Sequence, residues 1–289
     1  MSILKTSLKS IAAVSLAGVL FSCADAPKKT EEVEQVEEVE ELESMESVNL
    51  ESDFIMPSPI QIAAMFNRSG LAYESGITNP TNNVSKYNTK TSRYLNFGVY
   101  SADLAYVVLN SERQASLDYI KVVRDLSDLI GMPSIFDGGN LLTSFEKNID
   151  NQDSVLYILT TIKLRTDDYL AENDDASKEA VFFASAWVEG MYLGSKSATT
   201  ESSITSRIIE QMSILTNVIG AVKNQTDQSL DLTYLISGLE EILTTFEGFE
   251  EVKSLDSQGV SFSDIVLTNE EISLLNKEIE TLRTRIIAG

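Results

Sequence analysis

The chain passes through three regimes of hydrophobic patterning. Ile11 to Phe21 is an unbroken run of apolar or small residues. Val33, Val36, Val39, Leu42, Met45 and Val48 then recur at every third position among acids. At about 100° per residue, each step of three falls roughly 60° short of a turn, so these residues wander around a helix and make no lasting stripe. A spacer without a packed face is expected there. From Pro57 onward, apolar residues return at the three- and four-residue spacing of amphipathic helices.

Caps and breakers divide that last region into about nine helices. Ser58-Pro59 opens a short one that Gly70 ends. Gly76 to Lys90, with Asn79-Pro80 and Asn82-Asn83, reads as a loop. A helix follows from about Thr91 to Asn110, and Ser111 with Gln114 reads as a capping box for the next, which closes at Gly131 before Pro133. Further helices are expected at about 134–148, 151–172, 176–196, 201–224 and 229–247, with Leu255 to Ile265 irregular. Thr268 and Glu271 cap the last helix, 268–288, which aligns Ile272, Leu275, Ile279, Leu282 and Ile286. Arg283 and Arg285 there suit the C-terminal end of the helix dipole. The fold class is all-α, a helical bundle or two related multi-helix units.

Two of these helices are apolar on every side and therefore central. Between Arg93 and Glu112 the only charged residue is Asp103, and between Glu179 and Lys196 the only one is Glu189. Offset by 86 positions, Phe97 corresponds to Phe183, Gly98 to Ala184, Asp103 to Glu189 and Tyr106 to Tyr192. At an offset of 89, Leu126 matches Leu215 and Ile130-Gly131 matches Ile219-Gly220. This is a weak internal repeat, consistent with duplication across about 57–150 and 151–248.

A carboxylate on an apolar helix costs several kcal/mol unless it is paired, hydrogen-bonded or protonated. Arg93, Lys121, Arg124 and Arg165 are candidate partners, and Tyr100, Tyr106 and Tyr192 can donate hydroxyls. One expectation is a satisfied polar network that fixes helix packing. The other is a polar pocket floored by Asp103 and Glu189 with Tyr100, Tyr106 and Tyr192 around it.

Composition narrows the chemistry. Among 289 residues there are 22 Lys+Arg against 44 Asp+Glu and no His, a net charge of −22. The acidity argues against nucleic acid as a partner. Without His, Ser-His-Asp systems, His-ligated zinc and the common neutral-pH proton shuttle are excluded, and so are di-iron bundles built on Glu-x-x-His. The acidic cluster Asp167-Asp168 with Glu172 to Asp175 lacks the ligand alternation and Gly of a calcium loop. Asp137-Gly138-Gly139-Asn140 reads as a turn, with no Lys to make a phosphate cradle. No cofactor, metal or catalytic motif is expected, and the chain reads as a non-enzyme.

The N-terminus carries an address. Lys5 and Lys9 precede the apolar run, and Leu20-Phe21-Ser22-Cys23 follows, using the only cysteine in the chain. Eleven apolar residues span about half a bilayer core, which fits a secretory leader over residues 1–22 better than a permanent span. In Leu20, Ser22 and Cys23 the sequence resembles bacterial lipoprotein precursors, and the body resembles the all-helical lipoproteins of Gram-negative envelopes. That resemblance implies lipid attachment at Cys23, membrane association through the lipid, and sorting to the outer membrane because Ala24 follows. It implies either the periplasmic or the outer face. Residues 23–56 hold twelve acids against Lys28 and Lys29, a charge density that favours an extended tether ahead of a body at 57–289. The expected role is a non-catalytic binding or scaffold protein with an envelope protein or peptide as partner. The alternatives are a carboxylate-based hydrolase of envelope glycans, built on Asp103 and Glu189, and a structural surface spacer.

Overall fold

Capping chemistry marks where the body begins. In the computed structural model, the Ser58 side chain accepts from Gln61 N–H while Gln61 Oε1 accepts from Ser58 N–H at 2.6 Å, opening α1 (Pro59–Arg68). The structure describes residues 56–136, 141–200, 202–254 and 262–289. The leader at 1–22, Cys23, the acidic segment to residue 55 and the Asp137–Asn140 turn lie outside the described residues.

The body is all-α. The described residues hold eleven α-helices, four 3-10 turns and no strand. After α1 come α2 (Lys90–Leu109), α3 (Arg113–Leu129), α4 (Leu141–Asn148), α5 (Gln152–Glu172), α6 (Glu179–Ser195), α7 (Ser203–Met212) and α8 (Leu215–Lys223). They are followed by α9 (Thr233–Glu247), the single turn α10 (Glu250–Lys253) and α11 (Asn269–Ala288). No helix among the described residues is long and apolar enough to cross a membrane.

Several boundaries differ from the sequence reading, each for a local reason. Ser111 and Gln114 make no capping box: Ser111 takes φ 60° in the tight turn between α2 and α3, and Glu112 caps α3 without a side-chain bond. The expected 201–224 helix breaks at Ser213-Ile214 into α7 and α8. The Gly76–Lys90 loop contains a 3-10 turn at Thr81–Lys86. Gly131, at φ 85°, does end α3, and Met132 N–H reaches back to Ser127 O. Thr268 and Glu271 form the expected capping box on α11.

Helices α2 and α6 form the centre. Tyr94 stacks on Phe182 with ring centroids 5.3 Å apart, and Phe97 meets the same ring at 4.9 Å. Further along both helices, Gly98 sits against the α6 backbone, where a Cβ would fall 2.2 Å from Phe182 O. Contacts advance together along both chains, so α2 and α6 run in the same direction. Helix α1 lies across the small residues of α6, with Ile62 against Gly190 and Phe66 against Gly194. Helix α11 runs the opposite way, burying Ile272, Leu275, Ile279, Leu282 and Ile286. The parallel packing sets Gly98 against Phe182, Ser185 and Ala186, so the stretches that carry Asp103 and Glu189 lie side by side. The match of Gly131 with Gly220 has no such counterpart, since Gly220 lies inside α8.

Candidate functional site

The parallel packing of α2 and α6 brings their two lone acids together. Asp103 and Glu189 are both fully buried. Of the cationic side chains weighed from sequence, none bonds to either acid. Arg93 donates to Tyr87 O, Arg124 pairs with Asp125, and Arg165 donates to Ile135 O. Lys121 is exposed. The partner is Arg283 of α11, whose Nε and Nη2 grip Glu189 Oε2 and Oε1 at 2.9 and 3.0 Å. Arg283 is itself buried, and its guanidinium lies 4.2 Å from the centre of the Tyr192 ring. It is an interior counter-ion, not a surface charge serving the helix dipole. A bidentate, stacked guanidinium suits this position better than an ammonium would.

The remaining groups converge on one segment. Residues Leu71 to Thr89 form a strap between α1 and α2, and side chains from the helices hold its backbone. Tyr106 Oη donates to Ala72 O and accepts from Glu74 N–H at 2.7 Å. Arg283 Nη2 donates to Ile77 O at 3.0 Å. Asn79 N–H donates to Asp103 Oδ2 at 3.1 Å, Tyr119 Oη from α3 lies 2.9 Å from Asn79 O as a donor, and Tyr100 Oη donates to Pro80 O at 2.7 Å. Asn79, fully buried, also donates to Tyr87 Oη, and Asn96 Nδ2 reaches Ile286 O on α11. Where the strap is pressed against the helices, outside its one 3-10 turn, its peptide groups find side-chain partners. Tyr100, Tyr106 and Asp103 are three of them.

Of the five pocket residues read from sequence, four therefore join one network around Glu189, Arg283 and the strap: Asp103, Glu189, Tyr100 and Tyr192. Tyr106 anchors the strap at its other end, beside Tyr73. Ile77, Asn79 and Pro80 of the strap bond directly to Arg283, Asp103 and Tyr100. Surface hollows lie elsewhere. One of about 740 Å³ runs along Ser273, Asn276 and Thr281 of α11, and one of about 190 Å³ lies by Arg113 and Asp150. Neither is lined by Asp103 or Glu189.

No family model, curated protein or solved structure matches this chain. The chemistry must be read from the arrangement itself.

Electrostatically, the site is lopsided. Burial, then the Glu189 charge beside it, pushes the Asp103 carboxyl well above the usual carboxylate range, against the opposing pull of Arg283 and the Asn79 N–H. Burial also raises Tyr100 and Tyr119, so these phenols stay neutral donors. Arg283 is driven upward by the two acids despite its burial.

Two members of the acidic cluster at the end of α5, Asp167 and Asp175, pair with lysines. Lys163 pairs with Asp167 and lies 3.6 Å from Glu179, and Lys178 holds Asp175 at 2.6 Å. No group of three acidic or cysteine side chains among the described residues is placed to hold a metal ion.

Proposed function

We propose that this chain is an outer-membrane-anchored lipoprotein whose all-α body serves as a non-catalytic binding or scaffold protein of the cell envelope. The observation that carries the non-catalytic part is the use of the interior acids. Asp103 and Glu189, the one fully buried carboxylate pair among the described residues, bond to Asn79 of the strap and Arg283 of α11. A glycan-cleaving pair needs a cleft that admits a sugar and a water between the acids, and both are shut off from solvent. The anchoring part rests on Lys5, Lys9, the apolar run and Leu20-Phe21-Ser22-Cys23. Two or more acyl chains on Cys23, at about 0.8 kcal/mol per buried methylene, hold a protein stably where one chain would not.

The full chain and its Cys23→Ser variant, produced in a Gram-negative host with a labelled fatty acid, test the reading. The wild-type chain is expected to take up label and sediment with outer membrane, and C23S to take up none and leave that fraction. Equal distribution of the two, or no label in the wild type, refutes the anchor. Release of soluble glycan from envelopes by the purified chain, abolished by Glu189→Gln, refutes the non-catalytic role.

A further inference from the structure

At the centre of the fold, two carboxylates face one guanidinium. Glu189 spends both oxygens on Arg283. Asp103 uses Oδ2 for the Asn79 N–H, and its buried Oδ1 has no donor among the surrounding groups. A carboxylate oxygen sealed from water without a donor is costly, and two anions in contact repel. The anionic group beside Asp103 is the Glu189 carboxyl, brought there by the register of α2 on α6, and as a carboxylate it can only accept. Both difficulties vanish if a proton lies between them: Asp103 then donates through Oδ1 to Glu189, and the cluster of two acids and one arginine is neutral.

We propose that Asp103 and Glu189 share one proton, carried by Asp103, and that this proton closes the clasp joining the strap to α11, so that the fold weakens as pH rises. The titratable groups facing Asp103 fit this. They are Glu189 from α6, Arg283 from α11, Tyr87 from the strap, Tyr119 from α3, and Tyr100 and Tyr106 on its own helix. The tyrosines are all raised by burial and stay neutral, and Arg283 stays charged, so Asp103 is the group that changes state. The folded chain binds one more proton than the unfolded chain between the ordinary Asp value, about 3.9, and the elevated folded one. Stability from this proton is fully present below that window and drains away through it. Loss of the proton sets two anions against Arg283, and the strain falls on Asn79 and α11.

The test compares the full chain with Asp103→Asn, whose amide can donate to Glu189 and accept from Asn79 in the same geometry. Chemical denaturation is followed from pH 5 to pH 9. The unfolding constant of the wild type is expected to gain on that of D103N about tenfold per pH unit until Asp103 ionises. All other acids are common to both chains and cancel. Parallel pH profiles overturn the proposal. Carboxyl NMR of the wild-type chain labelled at Asp supplies a second measurement that does not depend on the variant folding. One Asp carboxyl is expected to titrate well above the ordinary carboxylate range, and titration of every Asp within that range overturns the proposal.

Discussion

Arg283→Met removes the buried cation that faces Asp103 and Glu189 and leaves a side chain of similar reach. Glu189 loses two hydrogen bonds at 2.9 and 3.0 Å, and Ile77 O loses the donor at 3.0 Å. Breaking a buried ion pair by deleting one member costs about 3–5 kcal/mol, because the remaining charge stays buried without compensation. Stacking on Tyr192, worth up to about 2 kcal/mol when desolvated, is lost as well, though these contributions overlap and do not simply add. A loss of about 4 kcal/mol is the working value, a large share of the stability of an ordinary domain. Arg285 lies two residues along the same helix but is exposed, with its guanidinium 4.6 Å from the Tyr234 ring. Arg285→Met should cost no more than about 1 kcal/mol. Urea denaturation of the full chain, followed by helical circular dichroism, compares the two. In a cycle with Glu189→Gln, the double variant should be less damaged than the two single losses predict, because the buried charge has gone with its partner. If R283M lies within about 1 kcal/mol of R285M, or the cycle shows no coupling, the clasp described above does not hold the fold.

Two further outcomes follow from other parts of the molecule. Gly98→Ala places a methyl group 2.2 Å from Phe182 O and Ser185 Oγ at the α2–α6 crossing, so it should destabilise by about 1–3 kcal/mol. Gly220→Ala, with nothing within 4 Å in the middle of α8, should stabilise by about 0.5–1 kcal/mol, and thermal melting should order them G220A, wild type, G98A. Asp227 is held well below the ordinary carboxylate range by Lys90 at 2.6 Å, by Ser229 and by Lys178. Its contribution is present above about pH 4 and lost as pH falls through the depressed value, so Asp227→Asn should flatten the acid limb of the stability profile, and an unchanged limb would refute the assignment.

How much of this was legible beforehand depended on what each signal measures. The centrality of α2 and α6 could be read because burial on all sides leaves a compositional trace, a helix with one charge. Ser58 and Thr268 could be read as caps because capping is local. The partner of Glu189 was missed for the opposite reason, since residues 94 apart in sequence leave no local mark. A signal did exist. Arg283 lies one helical turn from Ile279 and just under one from Ile286, inside the apolar stripe, whereas Arg285 lies off it. A charge within a buried stripe calls for an opposite charge, and only two interior acids were available. The strap was hidden more deeply. Its Gly, Asn and Pro residues announce a loop, and nothing in them says that Asn79 is fully buried or that three tyrosines, an aspartate and two arginines bond to its backbone. On that point the structure departs from the pocket reading: Asp103, Glu189, Tyr100 and Tyr192 meet around Arg283 and the strap, Tyr106 holds the strap at its other end, and the segment that Asp103, Tyr100 and Tyr106 bond to belongs to the chain itself.

The distance along the chain between the clasp's parts also bears on the order of folding. Arg283 meets Ile77 across 206 positions, one of the longest closures among the described residues, and Glu189 across 94. Contacts of such separation form late, since loop-closure entropy must be met before they reward it. When the chain emerges from its N-terminal end at roughly 5–20 residues per second, about 5–20 s separate the appearance of Glu189 from that of Arg283. Through that interval α2 and α6 can meet at Gly98, but their acids face each other with no cation between them. The body is therefore built to finish from its far end, and until residue 283 arrives its centre stays open to rearrangement and to chaperones.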